Sequence, residues 1–396
     1  MRAAFRPLPM RLFRFALSLA ALLACAAATA SPAAAEAAPP VRLKVIGYVM
    51  DGPQLPPISA RKLDAINFAF ALVDEQGEVY LPGDTAAASL AGLVALRGDN
   101  PGLKVLLSIG GWGADHFSEA ALTPQARARF ADSAVRIARE HDLDGIDIDW
   151  EYPTLPGPGI SHRPEARGNF VAMLQAVRER LDALGHERGR RYLLTIAAAD
   201  GEAARGLDLA RITPLLDWIN LMTYDFHASF APLTGHHTGL YRSAGAPAGS
   251  RSSVQAVDEF LAAGVPAAKI NLGVAFYSRA FAGAATAGHG LNQPYRDYAE
   301  PQPWRELREL PGRDGWERHW DAQAQAPYLW HAASRTLVSY DDPQSLAAKA
   351  AFVRERGLGG MMYWEHRQDA GDELLDTLRT ALDAAVTPIP DPDHAR

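Results

Sequence analysis

The segment DGIDIDWEYP at residues 144–153 combines four carboxylates with mainly apolar neighbours. Successive side chains of a strand point to opposite faces, so Asp147, Asp149 and Glu151 share one face and the intervening isoleucines and tryptophan share the other. Because burying like charges together is unfavourable, at least one of these carboxyls is expected to keep its proton. A protonated glutamic acid beside ionised aspartates is what general acid catalysis near neutral pH requires.

Two other interpretations of this acidic row, defined as Asp147, Asp149 and Glu151, stay open. It could be a solvated acidic edge strand, or a cation site built from aspartates. Exposed strands seldom alternate so regularly with isoleucine and tryptophan, which favours a row that lines a barrel or cleft with Glu151 nearest the open end. Asp144 lies off the shared face, and we expect it to be structural.

The first thirty residues have the layout of a secretory signal peptide. Arginines without acids precede an apolar run at residues 15–28, and the small residues ATA follow at 28–30. An alternative is a lipoprotein signal, because LLAC at residues 22–25 resembles a lipobox and would leave a lipid anchor at Cys25. We therefore expect a secreted, extracellular or periplasmic protein, with a membrane-anchored lipoprotein as the alternative.

The composition indicates one large domain between two short flexible ends. Residues 31–40 are rich in alanine and proline, and 387–396 contain three prolines, so we expect a tether and a disordered tail around a catalytic domain at 41–386. Cys25 is the only cysteine, so the mature domain has no internal disulfide and depends on its apolar core. The formal net charge of -7 becomes -11 once the four leader arginines are removed, which disfavours nucleic acid and suits a neutral substrate.

Short apolar runs alternate with helical patterns along the chain. Helical stripes follow Pro124, end at Gly185 and Gly264, and cover residues 345–356. Eight strands, each followed by a helix, predict an α/β protein of the (β/α)₈ TIM barrel type, with its chemistry at the carboxyl ends of the strands. The predicted strands are residues 44–49, 65–71, 104–109, 145–150, 192–198, 218–224, 270–276 and 360–364.

One connection is much longer than the others. Between the seventh and eighth predicted strands, residues 281–338 hold seven tyrosines and tryptophans. That many aromatic side chains should not stay in water, so a long loop is disfavoured. We predict a small α+β lobe inserted beside the mouth of the barrel.

Three further segments lie at predicted strand ends: SIGGW at 108–112, MTYDFH at 222–227, and Trp364. Paired glycines at 110 and 111 let the backbone approach a ligand, and Trp112 offers a stacking face. Tyr224 and Asp225 place a phenol and a carboxylate at the same rim.

Taken together, these segments resemble glycoside hydrolase family 18, the chitinases, over almost the whole mature chain. The most specific match is DxxDxDxE at 144–151, and SxGG at 108–111, MxYD at 222–225, YDDP at 340–343 and GLGGMMYW at 357–364 follow the order of the family. The lobe at 281–338 is similar to the chitinase insertion domain. The resemblance implies hydrolysis of β-1,4 N-acetylglucosamine linkages with retention, through an oxazolinium intermediate formed by the substrate's own acetamide.

The resemblance also implies roles for individual residues. Glu151 is then the acid and later the base, Asp149 holds the acetamide N–H, and Asp147 shares a proton with Asp149. Tyr224 donates to the acetamide oxygen, while Asp225 contacts the distorted sugar and acts electrostatically on Glu151. The implied substrate-binding residues are Tyr48, Ser108, Gly110, Gly111, Trp112, Tyr152, Met222, Phe230, Arg279 and Trp364.

Two departures from the family pattern concern the walls of the cleft. Many relatives have glycine and tryptophan where this chain has Ala228 and Phe230, and PFYGR where it has AFYSR at 275–279. We expect weaker stacking on the leaving-group side. The acid itself is intact.

We expect no cofactor and no metal, since the spacing of His227, His236 and His237 fits no common ligand set. The expected partner is chitin or a chitooligosaccharide, with no nucleic acid, and the expected state is a monomer. Three alternatives stay open: a non-catalytic chitin- or oligosaccharide-binding lectin on the same fold, a metal-dependent hydrolase, and an N-acetylglucosaminidase directed at peptidoglycan or N-glycans. Lectins of this fold usually lose the acid, so Glu151 favours an enzyme.

Overall fold

The computed structural model describes residues 42–369 and 371–384. The expected leader, Cys25, the tether and the tail lie outside these residues and stay predictions. Among the described residues, no helix combines the length and the apolar character needed to cross a membrane.

Eight parallel strands form a closed barrel, so the predicted (β/α)₈ fold is confirmed. The first strand pairs with both the second and the eighth, which closes the barrel and brings all eight carboxyl ends to one mouth. A short strand, Val79–Tyr80, adds antiparallel to the second. The barrel strands are Lys44–Met50, Ala65–Val73, Lys104–Gly110, Gly145–Asp149, Leu193–Ala198, Trp218–Leu221, Ile270–Ala275 and Gly360–Trp364.

The longer helices begin at recognisable caps. Thr123 accepts a hydrogen bond from the backbone N–H of Ala126 at 3.1 Å, and a proline fills the first helical position. Asp342 and Ser345 form a capping box at another helix start. The described α-helices are Ala86–Ala95, Phe117–Ala120, Pro124–Glu140, Ala166–Arg188, Gly201–Ala204, Leu209–Ile212, Ser253–Ala262, Trp304–Leu307, Pro343–Glu355 and Glu373–Asp383.

Two details of the predicted elements are wrong. The helix expected to end at Gly185 continues to Arg188 and is capped by Gly189, whose φ of 66° is the left-handed conformation common at helix ends. The expectation of a helix after every strand fails at the first connection, residues 51–64, which forms only the 3₁₀ turn Ala60–Lys62. Three prolines in this connection lack backbone donors and disfavour a regular helix.

The predicted insertion between the seventh and eighth barrel strands is a five-stranded antiparallel sheet, called the lobe below. The lobe has its own apolar core, which includes Phe281, Tyr328 and Trp330. Burial of these rings explains the aromatic content of the segment. The strands, in spatial order, are Asp297–Ala299, Arg279–Ala282, Thr336–Ser339, Ala326–His331 and Trp316–Asp321.

The main core lies between the barrel strands and the surrounding helices, and a smaller apolar cluster fills part of the barrel interior. The interior cluster includes Tyr48, Leu106, Trp218 and Met362. Polar side chains share this interior without exposure to solvent, and most of them are hydrogen-bonded, although the amide of Asn67 has no partner among the described residues. Among them are Asn67, Ser108, Asp147, Thr195, Asn220 and Asn271.

Candidate active site

The acidic row leaves the fourth barrel strand at the mouth. Asp147 and Asp149 belong to this strand, and Glu151 follows it by two residues. The alternate residues are buried in the main core, where Trp150 stacks on Phe117 with ring centroids 5.4 Å apart. Because helix packing occupies that face, the carboxyls are left facing the interior and the mouth.

Asp147 is fully buried and accepts hydrogen bonds from four other barrel strands. Its Oδ2 accepts from the hydroxyls of Tyr48 and Ser108, each at 2.8 Å. Its Oδ1 accepts from Thr195 Oγ1 at 2.5 Å and from Asn220 Nδ2 at 3.3 Å. Burial raises the pKa of Asp147, and these hydrogen bonds oppose the rise. These four hydrogen bonds therefore fix Asp147 at the buried end of the row.

Asp149 lies one step closer to the mouth and is only 5% exposed. Burial raises its pKa well above the ordinary value, and the charges of Glu151 and Asp147 raise that pKa further. Within the described residues, Asp149 Oδ1 has no hydrogen-bond partner. Since buried polar atoms are generally paired, this oxygen can receive a donor from a ligand.

Glu151 lies half-buried at the open end of the row. Burial raises the pKa of its carboxyl from 4.5 to about 7, and the charge of Asp225 contributes to this rise. Such a carboxyl is largely protonated at mildly acidic pH and can still release its proton, which is what a general acid needs. Burial also raises the pKa of the adjacent Tyr152 phenol, so this group stays protonated.

Asp225 is held as an anion by a basic partner at the root of the lobe. Nε and Nη2 of Arg279 each donate to its carboxylate at 2.7 Å, and Nδ1 of His237 lies 3.4 Å from Oδ1. Burial alone would raise the pKa of Asp225, yet the contacts with His237 and Arg279 lower it. Arg279 Nη1 also donates to the hydroxyl of Tyr298 at 3.0 Å, which connects this ion pair to the lobe.

Tyr224 stands at the same rim with a hydroxyl that has a weak partner. Its oxygen lies 3.9 Å from the sulfur of Met362. Burial raises its pKa, and nearby carboxylates add to the rise, so the phenol stays protonated and can donate to a ligand. Met222 packs with Tyr224 against the interior cluster.

Trp364 ends the eighth strand and forms an aromatic floor in the mouth. Its ring stacks on Phe70 with centroids 5.5 Å apart and an interplanar angle of 18°. Tyr48 supports it from another side at 5.6 Å. The ring is partly exposed, so it presents a flat apolar face to a ligand.

The glycines after the third strand are required by the packing of the chain itself. A Cβ on Gly110 would lie 2.0 Å from the carbonyl oxygen of Asp149, and one on Gly111 would lie 2.5 Å from the ring of Phe70. Their φ values of 124° and 92° also favour glycine. The preceding Ser108 is fully buried against Asp147, so the structure places it below the acid rather than at the rim. Substrate contact by these three residues stays a prediction.

Two large aromatic side chains are unusually exposed. Trp112 is 66% exposed and Phe230 is 73% exposed. The rings of Trp112 and Tyr152 pack edge to face, with their centroids 6.2 Å apart. Exposed aromatic faces near a cleft are suited to stacking on sugar rings.

The other polar residues singled out in the sequence have structural partners. Asp144 accepts from Arg97 Nη2 at 2.5 Å and from the backbone N–H of Val105 at 2.9 Å, in line with a structural role. The three histidines have separate surroundings: His227 Nδ1 contacts a backbone oxygen, His236 Nε2 lies 3.1 Å from Asp321, and His237 lies beside Asp225.

Several residues of the site were missed from the sequence: Phe70, Thr195, Asn220, His237 as a partner of Asp225, and Tyr298. A polar residue inside an otherwise apolar strand, as in LLTIAA and WINL, is a signal that could have identified Thr195 and Asn220. Phe70 and Tyr298 carry no such signal, because aromatic residues are common in any core.

A closed (β/α)₈ barrel with a proton-bearing carboxyl row and an aromatic floor at its mouth defines a protein of the glycosidase class. The sequence model for glycosyl hydrolases family 18 matches residues 44–369, and the chain belongs to this family.

The relatives give the family a more specific context. Chitinase A1 of Niallia circulans is 38% identical over 326 residues, covering 77% of this chain and 47% of that protein. Chitinase B of Serratia marcescens is 32% identical over 397 residues, covering 83% of this chain and 78% of that protein. The solved structure of a family 18 N-acetylglucosaminidase from Paenibacillus barengoltzii has a TM-score of 0.81 and 40% identity, covering 86% of this chain and 100% of that one. The chain thus spans about half the length of Chitinase A1.

Proposed function

We propose that the protein is a chitinase that hydrolyses β-1,4 linkages between N-acetylglucosamine units with retention of configuration. The observation that carries this proposal is the Glu151 carboxyl at the mouth, whose pKa is raised to about 7 beside a buried Asp149 with an oxygen that has no partner in the described part of the chain. The chitinases among the relatives support the choice of substrate.

In the first step, Glu151 donates its proton to the glycosidic oxygen while the carbonyl oxygen of the substrate's acetamide attacks C1. The bond from C1 to the leaving sugar breaks, and an oxazolinium ion forms. The acetamide N–H donates to the free Oδ1 of Asp149, and the negative charge of the acidic row stabilises the cation. Tyr224 donates to the acetamide oxygen and holds it at attack distance.

In the second step, the Glu151 carboxylate accepts a proton from water. The water attacks C1 from the face that the leaving sugar has vacated, and the oxazolinium ring opens to restore the acetamide. Two displacements at C1 invert the configuration twice, so the product keeps the β configuration. Glu151 recovers its proton and is ready for another cycle.

The aromatic residues supply binding on either side of the bond. Trp364 is the floor on which the reacting sugar stacks, and the exposed rings of Trp112 and Phe230 stack on further sugars. The bidentate pair of Arg279 with Asp225 keeps a fixed negative charge near Glu151. This charge helps Glu151 retain its proton until the sugar binds.

Substitution of Glu151 by glutamine tests the proposal, with Glu140→Gln on the exposed face of an outer helix as the matched control. Glu151→Gln should bind chitooligosaccharide but lose at least about 10³-fold in turnover, since glutamine cannot transfer the proton. Proton NMR of early products from the unsubstituted protein should show the β-anomer first. Unchanged turnover in Glu151→Gln, or an α-anomer formed first, would contradict the mechanism.

A second candidate is release of single N-acetylglucosamine units, because the Paenibacillus barengoltzii structure that this chain resembles at 40% identity is an N-acetylglucosaminidase. The same acidic row serves both reactions. Early products from a chitopentaose distinguish them: an exo-acting N-acetylglucosaminidase produces monomer from the start, whereas a chitinase produces dimer and trimer.

A further inference from the structure

The lobe carries a cluster of metal-ligating side chains outside the site described above. We propose that His289, Glu317 and His319 form a binding site for a divalent transition metal ion, with Zn²⁺ as the preferred ion. One ligand atom from each of the three side chains lies within 4.8 Å of the other two. The proposal does not depend on the catalytic mechanism, because none of these residues belongs to the acidic row or its partners.

Two segments of the lobe bring the three side chains together. Glu317 and His319 are two positions apart on the strand Trp316–Asp321, so they share one face of it. Among the described strands, this one lies at the edge of its sheet and pairs with Ala326–His331. His289 comes from the 3₁₀ turn Ala287–Gly290. A bound ion would therefore connect the turn to the edge strand.

The ligand atoms of the three side chains are available to a metal ion. His289 is exposed, and its ring lies against the ring of His319. His319 Nε2 lies 3.2 Å from Glu317 Oε2, so a nitrogen and an oxygen already converge.

The ring of His319 is held in position by its neighbours. It stacks on His289 with centroids 4.1 Å apart and on Tyr328 at 5.1 Å. Tyr328 is buried in the core of the lobe. His289 and Glu317 are exposed, so the His289 ring can leave this stack on metal binding while Tyr328 keeps His319 in place. Zinc needs ligand atoms at about 2.0–2.2 Å, so binding requires these two exposed side chains to turn towards the ion.

The donor set selects the kind of ion. Two imidazoles and one carboxylate suit Zn²⁺, whereas Ca²⁺ and Mg²⁺ favour oxygen ligands alone. A second group, Asp115, His116 and Glu119, lies close enough together for a metal but is already engaged. There, Glu119 accepts from Arg163 at 2.8 Å and from Ser161 at 2.6 Å, so its carboxylate is satisfied.

Calorimetric titration with ZnCl₂ near pH 7.5 tests the site on the full chain, prepared without a histidine tag and freed of metal by a chelator. We expect one Zn²⁺ per chain and no binding of Ca²⁺. His289→Ala, Glu317→Gln and His319→Gln should each weaken Zn²⁺ binding by at least about 10-fold, since each removes one of the three protein ligands. The control His186→Ala, on the exposed side of Ala166–Arg188, should bind Zn²⁺ as the unsubstituted protein does.

A thermal melt gives a second readout. Zn²⁺ should raise the Tm of the unsubstituted protein and of His186→Ala, but not that of the three ligand variants. Glu317→Gln keeps the size of an exposed side chain, so it tests the site without disturbing the core of the lobe. Absence of Zn²⁺ binding, or equal binding by the ligand variants and the unsubstituted protein, would overturn the proposal.

Discussion

Replacing Asp225 by asparagine removes one negative charge near Glu151 while leaving the size of the side chain almost unchanged. The charge of Asp225 raises the pKa of Glu151, so its removal must lower that pKa. Arg279, deprived of its bidentate acceptor, leaves an unpaired positive charge that acts in the same direction. Glu151 acts as an acid in its protonated form, so the alkaline fall of kcat/KM should move to lower pH.

The expected size of the shift follows from the pKa of Glu151. With a pKa of about 7, roughly 90% of the carboxyl is protonated at pH 6, whereas with the ordinary value of 4.5 only roughly 3% would be. Burial is the largest cause of the rise and persists in the variant. One unit charge at an effective dielectric constant of about 20 contributes on the order of 1 pH unit. We therefore expect the alkaline limb to fall near pH 7 in the unsubstituted protein and about 1 pH unit lower in Asp225→Asn.

The assay is kcat/KM on a fluorogenic chitobioside between pH 4 and pH 9. The position of the limb is the relevant quantity, because Asp225→Asn also lowers the overall rate. Asp258→Asn, which removes an equal charge from an exposed position on an outer helix, is the matched control and should keep its limb in place. An alkaline limb of Asp225→Asn at or above that of the unsubstituted protein would refute the electrostatic coupling.

Two further substitutions probe buried charges. Asp149→Asn should reduce kcat at least about 100-fold, because it removes Asp149 from the pair that shares one proton with Asp147 and stabilises the oxazolinium cation, yet it should not lower Tm. Because the pKa of Asp149 is raised in the folded protein, the unfolded chain releases this proton at a lower pH than the folded protein does. Asp149 therefore destabilises the protein increasingly as pH rises above its ordinary pKa, and the gain in Tm of Asp149→Asn should be larger at pH 7 than at pH 4. Lys349→Met leaves Asp341 as an uncompensated charge in a pair with no solvent exposure, and urea unfolding should show a loss of about 3–5 kcal/mol. Arg136→Met, which removes one member of a half-exposed pair, should change stability by less than about 0.5 kcal/mol; an equal effect of both substitutions would contradict this account.

The barrel could be predicted because the local spacing of apolar and polar residues indicates its strands and helices. The alternation in residues 144–151 placed three carboxyls on one face without knowledge of any neighbour, since a strand has a side-chain period of two. Pro124 and the apolar stripe after it predicted a helix that begins where the structure has it. The helix was predicted to end at Gly185 because a glycine inside a helix and a glycine that ends one look alike in sequence. Only the left-handed φ of Gly189 identifies the cap.

The partners in the site could not be predicted in the same way. Asp147 is contacted by residues from the first, third, fifth and sixth strands, and Arg279 is paired with Asp225, while its predicted contact with sugar stays a prediction. No local pattern encodes these contacts. They depend on the closure of the barrel, which places particular positions of different strands at the same height.

The amino-acid sequence by itself determined the types of the secondary elements, the side of the strand that carries the acids, and the family to which the chain belongs. Only the tertiary structure decided which carboxyls hold protons, because the pKa of a carboxyl depends on its burial and on charges that are distant in sequence. Glu151 reaches a pKa of about 7 only where the folded barrel removes it from water and holds Asp225 ionised beside it.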